Sequence, residues 1–418
     1  MDLNNAKHVF VVHSGITTLV AKLVIEQLKI KPENAFIFCR KNSYANALKV
    51  VPQKNIILAD ELFKFYNDGA SDVIDRNLLS NVLMSRLVFQ TLESAFNRDK
   101  AQKVLPALSI DNQEEKAIQG TPFIAYVPHL ADLMCNLLVK QPNCLKINYL
   151  EEGTLNYINY DALNTEKNYY FEQMLEQAPE LSSDKSGVLF FGEYRFYNIG
   201  EFENVHLHLK QAESNFYTLT NYSFFYHMIG DKRVLLDVNL LKTQDSLQQS
   251  RLYTIKQQAL AKHKQLQKHQ DGLNQYINVV VFEGQGNVID NSKFEDYSIT
   301  LIQNLIDAGI KYAQYKFHPL STEEVRQSLR DKLVKLEIVL DELDDNISLE
   351  EEALIAPEKT MLFHSIQSSA LLYTGAFGQY AKCYQEIAAN DKVLEKQIEK
   401  FAFDMKTLVQ KTSKYILE

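Results

Sequence analysis

Three short runs hold the side chains that could do chemistry. Glu151-Glu152-Gly153 lies in YLEEGTLNY, directly after the apolar-leaning run Leu145 to Leu150. Lys316-Phe317-His318-Pro319 closes the run that starts at Tyr312, and Ser368-Ser369 leads into the apolar stretch ALLYTGAFGQYA. A carboxylate beside a second carboxylate is pushed toward a higher pKa, which suits a general base working near neutral pH. A histidine before proline is biased to extended backbone, so its ring can donate a proton or a hydrogen bond to an anionic leaving group. Paired serines at the head of a helix read as capping residues, and a helix N-terminus offers N–H groups to a phosphate. Taken singly, each run also has an ordinary explanation: a solvated charged turn, a hydrogen-bonded strand-end histidine, a plain cap.

Two weaker elements accompany them. Glu283 to Asn287 reads EGQGN after the run INVVVF, and Gly284 and Gly286 let backbone approach a ligand. The pattern is not GxGxxG, so no dinucleotide site is read, and a plain turn is the favoured reading. The first turn, His13-Ser14-Gly15, places Ser14 and Gly15 where they line an acceptor or donor pocket or simply close a strand. His364 falls inside an apolar run and reads as a core or pocket-wall residue.

The elements that must position these residues alternate. KHVFVV (Lys7 to Val12) is a β-rich run, ITTLVAKLVIEQLKI a helical pattern, and AFIFC and NIILA two further strands. FIAYVP and CLKINYL continue the series around a helical ADLMCNLLVK; GVLFFG and NVHLHL add strand candidates. From about Leu240 to Gly272 the chain turns rich in Gln and Lys and reads as a polar helix bridging two domains. A second series follows: INVVVF, the helix DYSITLIQNLIDAGI, AQYKFHP, a helix from Ser321, KLEIVL and TMLFHS. The acidic run Asp341 to Glu352 reads as a solvated loop and helix start. Alternation of strand and helix predicts parallel sheets covered by helices. The expected fold class is therefore α/β, with two Rossmann-like domains and the active cleft between them at the carboxyl ends of the strands.

In this order, with the acid pair in the first domain and the other two in the second, the set EEG, HP and SS resembles that of bacterial sialyltransferases, in particular the lipooligosaccharide sialyltransferases and related polysialyltransferases of the GT-B fold. That group carries a D/E-D/E-G motif, an HP motif and a paired Ser/Thr motif, matched here by YLEEGTLNY, KFHPLS and HSIQSSALLY. The motifs cover a handful of residues; the domain order covers the whole chain. The resemblance implies inverting, metal-independent transfer of sialic acid from CMP-sialic acid to a hydroxyl of a bacterial surface glycan, lipooligosaccharide or capsule, with no cofactor beyond that donor. It maps the base onto Glu151 with Glu152 in support, and the choice between the two stays open. It implies that His318, followed by Pro319, acts on the CMP phosphate and that Ser368 and Ser369 hold it. Another CMP-activated ulosonic or nonulosonic acid, another nucleotide sugar, or a catalytically silent carbohydrate-binding protein of the same fold are the alternatives.

Composition bounds the rest. At 418 residues the chain is too long for one ordinary core. The expected division is 1–270 for the first domain with its helical bridge, 271–390 for the nucleotide-sugar domain, and 391–418 for a C-terminal helix packing back on the first. A formal charge of −9 argues against a nucleic-acid partner. Cys39, Cys135, Cys144 and Cys383 show no CxxC spacing and read as reduced and buried. No signal peptide and no uninterrupted apolar run of membrane-spanning length are read, so the expected location is cytoplasmic. The C-terminal lysines (Lys392, Lys396, Lys400, Lys406, Lys411, Lys414) form a solvated face, or meet anionic lipid at the inner face of a membrane.

Overall fold

A computed structural model describes residues 6–59, 78–98, 120–128, 133–139, 141–153, 189–191, 194–196, 214–221, 223, 233–242, 247–282, 290–318, 321–395 and 405–417. The chain divides into two compact units, Met1–Glu152 with Asp161–Leu236, and Gly153–Tyr160 with Asp237–Glu418. From Asp237 onward the chain belongs to the second unit, and this includes the polar bridge that the sequence reading assigned to the first domain.

The first unit is built on β1 (Lys7–Val12), α1 (Gly15–Gln27), β2 (Ala35–Cys39), α2 (Tyr44–Ala47), β3 (Ile56–Leu58), α3 (Leu78–Phe96), β4 (Phe123–Val127), α4 (Leu133–Val139) and β5 (Cys144–Leu150). A hairpin of β6 (Leu189–Phe191) and β7 (Tyr194–Phe196) and two short strands, β8 (Phe216–Thr218) and β9 (Arg233–Leu235), follow. Seven strands form one sheet in the order β3-β2-β1-β4-β5-β8-β9, and every pairing in it is parallel. The reason is visible in the strands themselves. VFVV, AFIFC and FIAYV are apolar on both faces, and all their residues are buried, as a sheet covered on both sides requires. Phe10, Phe38 and Phe123 have no exposed surface, and each such side chain contributes about 1.5–3 kcal/mol by burial.

The second unit contains α5 (Arg251–Lys262), β10 (Ile277–Val281), α6 (Phe294–Asp307), β11 (Tyr312–Lys316), α7 (Glu323–Leu333), β12 (Val339–Glu342), α8 (Leu349–Ile355), β13 (Met361–Ser365), α9 (Ser369–Ala376), β14 (Tyr380–Cys383) and α10 (Met405–Thr412). Its five strands run in the order β12-β11-β10-β13-β14, again all parallel. Both sheets therefore share the doubly wound order in which the first strand is central and the chain steps outward on either side. The α/β class and the two Rossmann-like units expected from the sequence are present.

Three local readings change. The expected polar helix over about 240–272 is a helix only at Arg251–Lys262, flanked by 3-10 turns at Val238–Leu241 and Lys264–Lys268. Its Lys256 is buried and donates to the carbonyls of Asn274, Gln275 and Tyr276 at 2.8, 3.1 and 2.6 Å, which fixes the entry to β10. The apolar stretch after Ser369 is helical only to Ala376; Gly378, at φ 95, turns it into the edge strand β14. The sequence reading sent the final helix back onto the first domain. Within the described residues α10 packs on α9 and β14 of the second unit, burying Met405, Leu408 and Val409. The strand candidate at 204–209 lies outside the described residues.

Candidate active site

In the first unit the chemistry gathers at the carboxyl ends of β1 and β5. The turn after β1 is held by a capping box: Ser14 Oγ accepts from the Thr17 N–H at 3.1 Å, and Thr17 Oγ1 accepts from the Ser14 N–H at 3.0 Å. The His13 N–H also reaches Thr17 Oγ1, at 3.1 Å. This turn places the His13 ring beside the turn after β5. There the two glutamates part company, because successive residues of an extended segment point to opposite sides.

Glu151 turns inward. It has no exposed surface, and its Oε2 accepts from the Leu219 N–H at 2.6 Å, while its own N–H donates to Tyr217 O at 3.0 Å. The carboxylate thus satisfies the first N–H beyond β8, a group that would otherwise be buried without an acceptor. Glu152 turns outward, its side chain 18% exposed, and its Oε1 lies 3.1 Å from His13 Nε2. A carboxylate only accepts, so His13 donates from Nε2. In the sheet, β1 and β5 flank β4, so the His13–Glu152 pair spans the mouth of the strand next to the topological switch point. The sequence reading named the turn His13-Ser14-Gly15 and took Ser14 and Gly15 as its site residues, without the pairing of His13 to Glu152. The partner it needed lies 139 residues away, a separation that spacing arguments do not reach.

In the second unit, β11 and β13 flank β10, so the turns that follow them, with His318 and with Ser368-Ser369, lie on either side of the end of β10. His318 is half-buried, and burial together with the nearby Arg326 guanidinium lowers its pKa. It is therefore held as neutral imidazole at neutral pH, a hydrogen-bond donor or acceptor rather than a fixed cation. Ser368 is the N-cap of α9, its Oγ accepting from the Ala370 N–H at 3.3 Å, and Ser369 is the first helical residue. Both are half-buried. Ser365, just below, ties β13 to β10 through a 2.6 Å bond to Val281 O. His364 is a core residue: burial lowers its pKa to about 3, Nδ1 lies 3.2 Å from Tyr384 Oη and Nε2 3.0 Å from Asn278 Oδ1. Pro319, Gly284 and Gly286 lie outside the described residues; Gly153 follows Glu152 directly, and a Cβ added there would meet nothing within 4 Å.

The acidic run is less solvated than its composition suggests. Lys316, at the end of β11, is largely buried, and its Nζ donates to Asp345 O at 3.1 Å and to Ile347 O. Burial lowers the Lys316 pKa against the pull of Glu350, Asp345 and Asp344. Among the described residues no three His, Cys, Asp or Glu side chains converge as a metal site, and no helix is long and apolar enough to cross a membrane. All four cysteines are buried thiols, none of them in a disulfide. The concavity lined by Ile25, Lys29, Ile30, Pro32, Val51 and Pro52 lies at the amino ends of β2 and β3, the opposite edge of the sheet from His13 and Glu152.

No protein-family model matches the chain, and no curated protein matches it. Solved structures similar to it include S. aureus MnaA in a co-structure with UDP, at 12% identity, covering 98% of this chain and 91% of that one with a TM-score of 0.45. A glycosyltransferase from Rickettsia africae is similar at 12% identity, 98% and 91% coverage and a TM-score of 0.40. UDP-GlcNAc 2-epimerase from Neisseria meningitidis, bound to UDP-GlcNAc, is similar at 10% identity, 98% and 94% coverage and a TM-score of 0.40.

Proposed function

We propose that this protein is an inverting glycosyltransferase of the GT-B kind that uses a nucleotide-activated sugar. The observation that carries the reading is the His13–Glu152 pair, which joins the carboxyl ends of β1 and β5 across that of β4 in a parallel sheet. Such a transfer forms a bond between an acceptor oxygen and the anomeric carbon and breaks the bond from that carbon to the leaving phosphate. The acceptor proton has to go to a base, and the negative charge that grows on the phosphate needs donors. In this reading Glu152 takes the proton, with His13 holding one oxygen of its carboxylate, and Glu151 is the buried support. His318 and the Ser368-Ser369 turn serve the leaving phosphate, through an imidazole N–H and through serine hydroxyls and helix N-terminal N–H groups.

The finer reading is a sialyltransferase that uses CMP-sialic acid, with a bacterial surface glycan as acceptor. It rests on the ordered set EEG, HP and SS. Another CMP-activated ulosonic or nonulosonic acid, or a UDP-sugar, suits the same two units and the same groups, so the base of the nucleotide is the property to measure first. Thermal unfolding with CMP, UMP, GMP, ADP and UDP, each at the same millimolar concentration, separates them. A nucleotide at 100 times its Kd adds about 2.7 kcal/mol, or roughly 5–10 °C for a unit of this size. A shift with CMP alone supports CMP-sialic acid. A shift with UMP or UDP moves the donor to a UDP-sugar and ends the sialyltransferase reading. If none of the nucleotides and none of the intact sugar donors shifts the melt, the enzyme reading fails and the carbohydrate-binding alternative takes its place.

A further inference from the structure

We propose that Arg326 is the positioning residue of His318, clasping the turn that carries it. The inference rests on the glycosyltransferase reading for its catalytic consequence, and on geometry alone for the positioning itself. Arg326 lies on the first turn of α7, and its side chain is only 11% exposed. Its guanidinium spends all three nitrogens on the neighbourhood of His318. Nη2 donates to His318 O at 3.3 Å, Nε to Ser321 O at 3.2 Å and Nη1 to Asp345 Oδ2 at 2.8 Å. The group also lies over the Phe317 ring, 5.4 Å from its centroid.

The two carbonyls belong to residues three apart in the chain, and the Ser321 N–H donates to His318 O at 2.9 Å. The donors of a planar fork stand at a fixed spacing and angle, whereas those of an ammonium rotate about one point, so the fork sets the separation of the two carbonyls more rigidly. The third bond ties the clasp to the acidic loop, and that loop is itself anchored by Lys316 to the end of β11. The connection therefore returns to its origin: β11, Lys316, the acidic loop, Asp345, Arg326, the turn, and β11 again. His318 sits inside this ring. Among the described residues the charged groups about His318 include Arg326 and Arg330 of α7, both over the Phe317 ring, Lys316 at the end of β11 and Asp345 of the acidic loop, so the composition of that loop has a use beyond solubility.

The test compares the full chain with Arg326→Lys, Arg326→Gln and Asp345→Asn. Arg326→Lys keeps a positive charge but loses the fork. Arg326→Gln loses both, and Asp345→Asn loosens the anchor while leaving the arginine in place. Amide exchange at Ser321 is expected to quicken by about tenfold or more in both arginine variants and by less in Asp345→Asn. The His318 ring, followed by NMR, is expected to titrate higher in Arg326→Gln than in Arg326→Lys, because only the former removes the neighbouring charge. With CMP-sialic acid as donor, kcat is expected to fall about 10- to 100-fold in both arginine variants, with KM changing less than threefold. Ser321 exchange within twofold of wild type in variants that remain folded overturns the positioning role. A kcat within twofold of wild type despite faster exchange overturns its catalytic consequence. If the wild-type chain transfers no sugar at all, it is the glycosyltransferase reading that fails, and exchange and titration alone decide whether Arg326 holds the turn.

Discussion

The two adjacent glutamates should give opposite signatures when each is changed alone. Glu151 is fully buried, and its carboxylate accepts from the Leu219 N–H at 2.6 Å. Glu151→Leu fills a similar volume but leaves that N–H without its acceptor. Removing a charged acceptor from a buried donor costs about 1.5–3 kcal/mol. For a unit of some 150 to 250 residues that lowers Tm by about 3–12 °C. Glu151→Gln keeps an acceptor oxygen and should cost less. Glu152 is partly exposed and paired with His13, and such a pair contributes about 0–1 kcal/mol. Glu152→Gln should therefore leave Tm nearly unchanged while lowering transfer about 100- to 10,000-fold, the loss expected for a general base. Differential scanning fluorimetry and a transfer assay on the same preparations measure both. The reasoning is refuted if Glu152→Gln keeps more than a tenth of wild-type turnover, or if Glu151→Leu melts with the wild type.

Two further outcomes follow from the end of the second unit. Glu358 accepts from Lys414 Nζ and Tyr415 Oη, each at 2.7 Å, and from Lys242 Nζ at 3.2 Å, and these partners hold its carboxyl down to about 2. A depressed carboxylate pKa contributes stability that is complete above the ordinary carboxylate range and lost as pH falls toward the folded value. Glu358→Gln should cost about 1–2 kcal/mol at pH 7 after solvent screening, and denaturant melts of the two proteins should converge by pH 2. Gly375 lies in α9 against the chain at Ser413, where an added Cβ would meet Ser413 Oγ and come within 3.3 Å of its Cα. Gly375→Ala should therefore lower stability by about 1–3 kcal/mol, although glycine to alanine in a helix ordinarily raises it. Chymotrypsin cleavage at Tyr415 should quicken in this variant; cleavage at the wild-type rate would show that the terminal segment does not depend on that contact.

Much of the fold could be read because its strands are short apolar runs. Lys7–Val12, Ala35–Cys39 and Cys144–Leu150 stand at the bounds their composition suggests. A strand buried on both faces reads as a nearly continuous apolar run, and VFVV and AFIFC stand out as such. The three-residue strands Phe216–Thr218 and Arg233–Leu235 and the edge strand Tyr380–Cys383 could not be read that way. They are too short for a pattern to repeat, or half-exposed, and they exist because a neighbouring strand offers them a ladder. The candidate site divides in the same manner. Ser368 announces itself locally, as a small polar residue before an apolar helix. The pairing of His13 with Glu152, and the clasp of Arg326 on His318, depend on which strands lie side by side, and that is a property of the whole sheet.

The parallel pairing of β1 with β4 also bears on how the chain is made. Lys7 pairs with Phe123, so one edge of the first strand has no neighbour until 116 further residues have been added. At about 5–20 residues per second, the nascent chain carries that unpaired apolar edge for roughly 6–23 s. Ala35, which faces His8 on the other side, arrives much sooner and shields only one edge. Synthesis itself thus sets an interval during which the strand leading to His13 is open to mispairing. A chaperone acting on the emerging first unit would meet its best-defined substrate there.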